Sequence, residues 1–435
     1  MEKGDLETGL DMIKDTVQSL LDCVKNEGNH KNRLKPSIYM APGILRDLSP
    51  NSFNPRVVSI GPLHKKDENV QAFEGRKTSC MIDLMRHINS SQEDILKTCV
   101  EKVYSSMDQI KACYIWTKTY DDSEVAKMMV IDACFILHFI LRDQIGEFQE
   151  FYFGNTMLIY NIVLDLVLLE NQIPFFILDQ IFQCTVLKFR PNSSLISLIH
   201  PLLRDLNMFR VHLKTDNISI STTSHILSIL HQCYEPQGNI SPHFLSSKFH
   251  SVVDLDMAGV EFKPNQNSTW VLGMEVKIPG FTCGFGSWSK PTLRMPVLLL
   301  ADNTVLILRN LIAYEQSCGT QNYITSYALA MDMLVNTSED VVKLVDSRVL
   351  INIVGSNEEA ANMINNIGKE VICSDFFYKQ EMEGLNKYCD RYWPKHIAKM
   401  KSIYFSSPWS MIALLAGIML FVLTVLQTMF TIKSS

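Results

Sequence analysis

Met411 to Ile432 reads MIALLAGIMLFVLTVLQTMFTI, 22 residues without a charge. At about 1.5 Å of rise per residue a helix of that length covers roughly 33 Å, against a hydrocarbon core of about 30 Å. The chain is therefore expected to be a large polar-surfaced body tied to lipid by one C-terminal helix. Basic residues precede the run (Arg391, Lys395, Lys399 and Lys401), and only Lys433 follows it. Met1 to Asp11 is acidic and polar, unlike a secretory signal, so the positive-inside bias puts the body in the cytosol. This divides the sequence into an N-terminal amphipathic helix with a linker (1–35), a body (36–405) and a transmembrane helix (409–432).

A net charge of −6 argues against a nucleic-acid partner, because no basic stripe exists to follow phosphates. Eleven cysteines run from Cys23 to Cys389 with no C-x-x-C pair, the spacing that a zinc or redox motif would want. They are expected to be reduced and mostly buried in a cytosolic body. Six N-x-S/T sequons, at Asn89, Asn192, Asn217, Asn239, Asn267 and Asn336, would carry sugar only in a lumenal body.

Leu10, Ile13, Val17, Leu20, Leu21 and Val24 recur at helical spacing, and Ile38 to Pro62 is Pro- and Gly-rich and must be mostly extended or turned. Helical pattern resumes over Glu68 to Thr117, where Ser91 and Asp94 have capping-box spacing. Ala126 to Leu141 and Thr156 to Leu169 are apolar nearly all round, as central helices are. A short helix is predicted near Ser224 to Tyr234. The character changes over Val252 to Leu308, where Trp270–Leu272, Val276–Ile278, Leu293–Leu300 and Thr304–Leu308 suggest strands. Helices return from Leu311, with Thr337/Asp340 and Ser356/Glu359 at N-cap and N3 spacing. The predicted fold is mainly α (α+β): a single large helical body, a small β insert around 252–308 and one C-terminal transmembrane helix.

Several strings resemble the plant-specific family called domain of unknown function 247. They are Ile38-Tyr39-Met40-Ala41-Pro42 with Leu45-Arg46, and Pro55-Arg56-Val57-Val58-Ser59-Ile60-Gly61-Pro62 followed by Phe73-Glu74 and Lys77. Val130 to Leu137 follows, then Asp165-Leu166 with Leu168-Leu169-Glu170-Asn171-Gln172-Ile173-Pro174-Phe175-Phe176. Ala258-Gly259-Val260, Leu311-Ile312-Ala313-Tyr314-Glu315-Gln316 and Ser407-Pro408-Trp409 complete the set. Leu63-His64-Lys65-Lys66 and Ile226 to His231 depart from the usual pattern. The resemblance implies a membrane-associated plant protein without an established activity.

Asp132, Asp165, Glu170 and Glu315 stand in apolar runs, and a buried lone charge is costly. Each should be paired, hydrogen-bonded or protonated: with Arg142, Arg294 or Arg309 as partners, or, for Glu170 and Gln172, with loop backbone before Pro174. The competing reading makes them acid/base groups, yet Asp165 and Glu170, five apart, fall about 140° apart on a continuous helix. His225/His231 and His243/His250 lack the i, i+4 metal spacing. The Gly280 to Ser287 run, holding Cys283, is neither a Walker loop nor a nucleophile elbow and reads as a hairpin tip. No catalytic residue, cofactor or metal is expected.

In the tail, Ala413, Gly417, Thr424, Thr428 and Thr431 share one helical stripe, and such stripes let helices approach in lipid. The expected partners are lipid along 409–432 and an unidentified protein, with a second copy through the tail as one option. The leading reading is a non-enzymatic, membrane-anchored interaction or signalling protein. The alternative is an enzyme using buried carboxylates near Glu170 and Glu315.

Overall fold

A computed structural model describes residues 12–21, 36–115, 120–142, 155–216, 218–236, 249–265, 270–278, 290–391 and 408–434. Its centre is the Asp122–Leu141 helix, buried nearly all round. Asp121 and Glu124 start it with a capping box: Glu124 N–H donates to Asp121 Oδ1 (2.7 Å) and Asp121 N–H to Glu124 Oε2 (3.1 Å). The Glu74–Arg86, Gln92–Ser105 and Phe175–Cys184 helices pack on it. In Gln92–Ser105 the buried residues Ile95, Cys99 and Val103 recur every four positions, so one face enters the core and the other stays in water. Ser91 makes no side-chain cap there, and the box expected with Asp94 does not form.

A second group comprises the Thr304–Cys318, Tyr323–Leu334, Ser338–Asp346 and Asn357–Ile367 helices. Here both anticipated caps are present. Asp340 Oδ2 accepts from Thr337 N–H (2.9 Å), and Ser356 Oγ accepts from Glu359 N–H (3.0 Å). One cluster of buried apolar side chains runs from Ile38 to Cys389 and joins the two groups.

The β structure is smaller than the sequence suggests and differently cut. Strands β1 (Glu261–Pro264), β2 (Glu275–Lys277) and β3 (Thr292–Met295) form a sheet in the order β1-β3-β2. Glu261 lies opposite Thr292 in parallel and Glu275 opposite Arg294 in antiparallel register. β4 (Leu298–Leu300) pairs in parallel with β5 (Leu350–Asn352), Leu298 opposite Leu350. The expected single strand Leu293–Leu300 is thus two strands in two sheets, separated at Pro296, which has no N–H to give a ladder. Trp270–Leu272 is a turn closed by Gly273 N–H on Trp270 O (3.0 Å). Thr304–Leu308 opens the Thr304–Cys318 helix, which is buried through Glu315 and so reads as an apolar run without period.

The Pro408–Ser434 helix contains Met411–Ile432, long and apolar enough to cross a membrane, with none of it buried against the body. Residues 12–21 are helical and exposed. The Gly280 to Ser287 run and His243 lie outside the described residues.

Candidate functional site

The Asp165, Glu170 and Asn171 side chains all turn toward residues 41–64. The sequence suggests mostly extended or turned chain there, and the structure holds a short helix, Gly43–Leu48, and one 3-10 turn, Pro50–Ser52, before an irregular stretch. The Thr156–Asp165 helix stops at Asp165, so the chain through Glu170 is a loop and the helical angle between the two acids does not apply. Asp165 accepts backbone N–H groups from Arg56 (2.8 Å), Val57 (2.7 Å) and Val58 (2.9 Å). Asn171 Oδ1 accepts from Ile60 N–H (2.7 Å) while its Nδ2 donates to Val58 O (2.9 Å) and Asp165 O (2.9 Å). Glu170 Oε1 accepts from Ala41 N–H (2.7 Å) and from the Arg46 guanidinium. Its Oε2 meets His64 Nε2 at 2.8 Å, and the other His64 nitrogen meets Asp67 Oδ2 at 2.6 Å. Gln172 Nε2 donates to Leu166 O and Leu168 O, closing the loop on itself.

Asp132, from the central helix, completes the clamp. It accepts from Gly61 N–H (2.8 Å) and from Lys77 Nζ (2.5 Å), and Lys77 also donates to Ser59 O (2.7 Å). Burial works against the Lys77 ammonium, but Asp132 and Glu74 outweigh it and raise its pKa. Burial likewise opposes charge on His64, and hydrogen bonds to Glu170 and Asp67 raise it above its usual value. For Asp165 burial dominates and lifts the carboxyl to about 6 despite three backbone donors.

Glu315 lies in a separate cluster. Its oxygens accept from His231 Nε2 (3.0 Å), Ile324 N–H (2.8 Å), Thr325 N–H (2.8 Å) and Thr325 Oγ1 (2.6 Å). It therefore satisfies the first turn of the Tyr323–Leu334 helix, whose N–H groups have no partner within the helix. The arginines named from sequence are not the partners. Arg142 donates to Phe139 O (2.9 Å) and sits over the Phe139 ring, Arg309 donates to Asn366 O, and Arg294 lies in β3. Asn310, which sequence reasoning missed, accepts from Leu169 N–H (2.8 Å) and donates to Ser52 O (2.6 Å), tying the Thr304–Cys318 helix to the loop before Glu170 and to the 41–64 segment.

His225 caps the Ile226–Cys233 helix with its ring: Nδ1 accepts from Ser228 N–H (3.2 Å), and Nε2 lies 3.0 Å from Ser37 O. Accepting at Nδ1 and donating at Nε2 requires the neutral ring. Burial lowers its pKa to about 4, the Ser37 carbonyl opposing and His231 assisting. The folded value lies below the unfolded one, so the stability it contributes is present above about pH 6.5 and is lost toward pH 4. The loss comes to about 3 kcal/mol. Asn also caps N-termini without titrating. His225→Asn is therefore expected to flatten this acid slope in urea unfolding at pH 7.5 and pH 4, and an unchanged slope would remove His225 as the cause.

Two surface features remain. An open cleft of about 500 Å³ is lined by His200, Arg204, Arg210 and His212 against one acid, Asp205, a bias that suits an acidic surface. On the tail, Ala413 and Gly417 border a shallow groove with Leu414, Ile418 and Phe421, and a Cβ at Gly417 would meet nothing within 4 Å. Thr424, Thr428 and Thr431 each donate to a carbonyl four residues back on their own helix (2.8 Å each), so those hydroxyl protons are used within the helix.

The chain is similar to the UPF0481 protein At3g47200 of Arabidopsis thaliana, 24% identical over 91% of this chain and 86% of that one. It is equally similar to a second Arabidopsis thaliana UPF0481 protein, At3g02645, at 24% identity over 96% and 94% of the two chains. No solved structure matches it. The family described as "Plant protein of unknown function" matches residues 38–423, a span that takes in the clamp, the Glu315 cluster and most of the apolar tail. The chain belongs to that family, domain of unknown function 247.

Proposed function

We propose that this protein is a membrane-tethered, non-enzymatic interaction protein whose body faces the cytosol. The observation that carries the reading is the 22-residue apolar helix Met411–Ile432, none of which the body buries. Such a surface in water would aggregate, and in lipid it is satisfied. The enzyme alternative needs Asp165, Glu170 and Glu315 gathered at an open pocket. Asp165 and Glu170 instead hold loop backbone, and Glu315 holds a helix start in another cluster. The cleft at His200, Arg204, Arg210 and His212 is the surface we assign to an acidic protein partner. Tethering raises the effective concentration of such a partner at one membrane.

The full chain is expected to resist carbonate extraction from plant membranes, and a version ending at residue 407 to become soluble and lose most of its proximity-labelled neighbours. Arg204→Glu with Arg210→Glu, anchor intact, is expected to lose part of the same set. Extraction of the full chain would sink the tether. Identical neighbour sets for all three would sink the interaction role, and sugar on Asn89, Asn192 or Asn336 would place the body in the lumen.

A further inference from the structure

Leu6, Leu10, Ile13, Val17, Leu20 and Val24 advance by alternating steps of four and three residues, the a and d steps of a heptad repeat. Residues 12–21, the part of this stretch that the structure describes, are helical. Ile13, Val17 and Leu20 stand 61%, 49% and 61% exposed on that helix, and Leu21 beside them is 48% exposed. An apolar edge of this kind calls for a cover, and neither the clamp, the Glu315 cluster nor the basic cleft uses it.

We propose that this stretch pairs with the same stretch of a second copy of the chain as a short, parallel, two-stranded coiled coil, an inference that rests on the membrane tether proposed above. Leu10, Val17 and Val24 take the a positions, and Leu6, Ile13 and Leu20 the d positions. β-Branched residues at a with leucine at d favour two strands, and the Val17 and Leu20 turn has that pairing. Beside the seam, Thr16 at g faces Leu21 at e of the second copy, so no like charges meet there. Thr16 Oγ1 donates to Met12 O (2.7 Å), so its proton is used within its own helix. Asp11, Asp15 and Asp22 fall at the b and f positions, away from the seam.

Charge separates a second copy from lipid as the cover. The stretch carries Asp5, Glu7, Asp11, Asp15 and Asp22 against Lys3, Lys14 and Lys25. Helices that lie in a membrane surface carry Lys and Arg on their polar face, and an anionic leaflet would repel this acidic one. The stretch from Leu6 to Val24 is shorter than three heptads, and helices that short hold together weakly between free chains. Two anchors in one bilayer supply the missing effective concentration. Both bodies then stand on the same side of that bilayer, which suits parallel strands in register.

The test places Val17→Cys in the full chain on a Cys23→Ser background, in phosphatidylcholine vesicles, and oxidises it with copper phenanthroline. Residues at a meet across a parallel seam, so a dimer linked through position 17 should form and be mapped by mass spectrometry. Asp15→Cys, at the outward f position, should not link. Val17→Asp with Leu20→Asp, anchor intact, should lower co-capture of a second, differently tagged full chain at least about tenfold. Positions 15, 17 and 20 are exposed, so these changes leave the core of the body untouched. No link at position 17, equal linking at 15 and 17, or unchanged co-capture would overturn the proposal. Carbonate extraction of the same vesicles tells a lost anchor from a lost seam: a chain retained in the membrane yet unlinked at position 17 sinks the coiled coil alone, and an extracted chain sinks the tether on which it rests.

Discussion

Lys77→Met is expected to cost the body about 3–5 kcal/mol, the range for removing one partner of a buried ion pair. Lys77 and Asp132 are both fully buried, and the ammonium is the only cation among the described residues that bonds the Asp132 carboxylate. Methionine fills much the same volume, so the loss would come from the carboxylate left without its counter-charge, and from Ser59 O left without its donor. Adding Asp132→Asn removes the stranded charge, and the amide oxygen can still accept from Gly61 N–H. The double variant should regain more than half of the loss in urea unfolding. Equal instability of the single and double variants would show that the charge is not what matters there.

That pair illustrates what could be read in advance. Asp132, Asp165, Glu170 and Glu315 are conspicuous as acids in apolar runs, and the cost of burying them demands partners. Backbone was legible as the kind of partner for Glu170 and Gln172, but which backbone was not, because every residue except proline carries an N–H and no letter singles one out. From Arg56 to Gly61 the Pro- and Gly-rich segment forms no helix or strand to satisfy its N–H groups, and Asp165, Asn171 and Asp132 do it from a distance, as Glu170 does for Ala41. The strings that identify the family are thus largely the two sides of one hydrogen-bonded clamp. They identify the fold, and they say little about chemistry. The β insert around 252–308 is present, but its strands are cut differently: Thr304–Leu308 is an unbroken apolar run, and whether such a run becomes helix or strand is decided by packing, while Leu293–Leu300 breaks at Pro296. That the tail forms one helix long and apolar enough to cross a membrane was legible, since that property depends on local length and composition alone.

Among the glycines of the described residues, Gly61→Ala is expected to be the most damaging. Gly61 has φ +74°, and a Cβ there would lie 2.4 Å from Gln172 O and 3.1 Å from the Tyr114 hydroxyl. The obstructing atom is backbone, held by the Tyr114 hydroxyl donating to it at 3.0 Å, so it cannot swing aside as a side-chain end would. Gly61 N–H also donates to Asp132, and any shift that relieves the clash pulls on the buried pair with Lys77. Gly319 supplies the control: it has φ +63°, at the end of the Thr304–Cys318 helix, with nothing within 4 Å of its Cβ position. Gly319→Ala should cost only the left-handed backbone preference, about 1 kcal/mol. Gly61→Ala adds a forced separation of two core loops and should cost about 3 kcal/mol or more, within reach of the whole stability of a marginal body. Thermal or urea unfolding of the two variants side by side separates the contributions. Equal losses would mean that the 41–64 segment can lift off Gln172 freely, and the clamp would then not be the rigid seam that its hydrogen bonds describe.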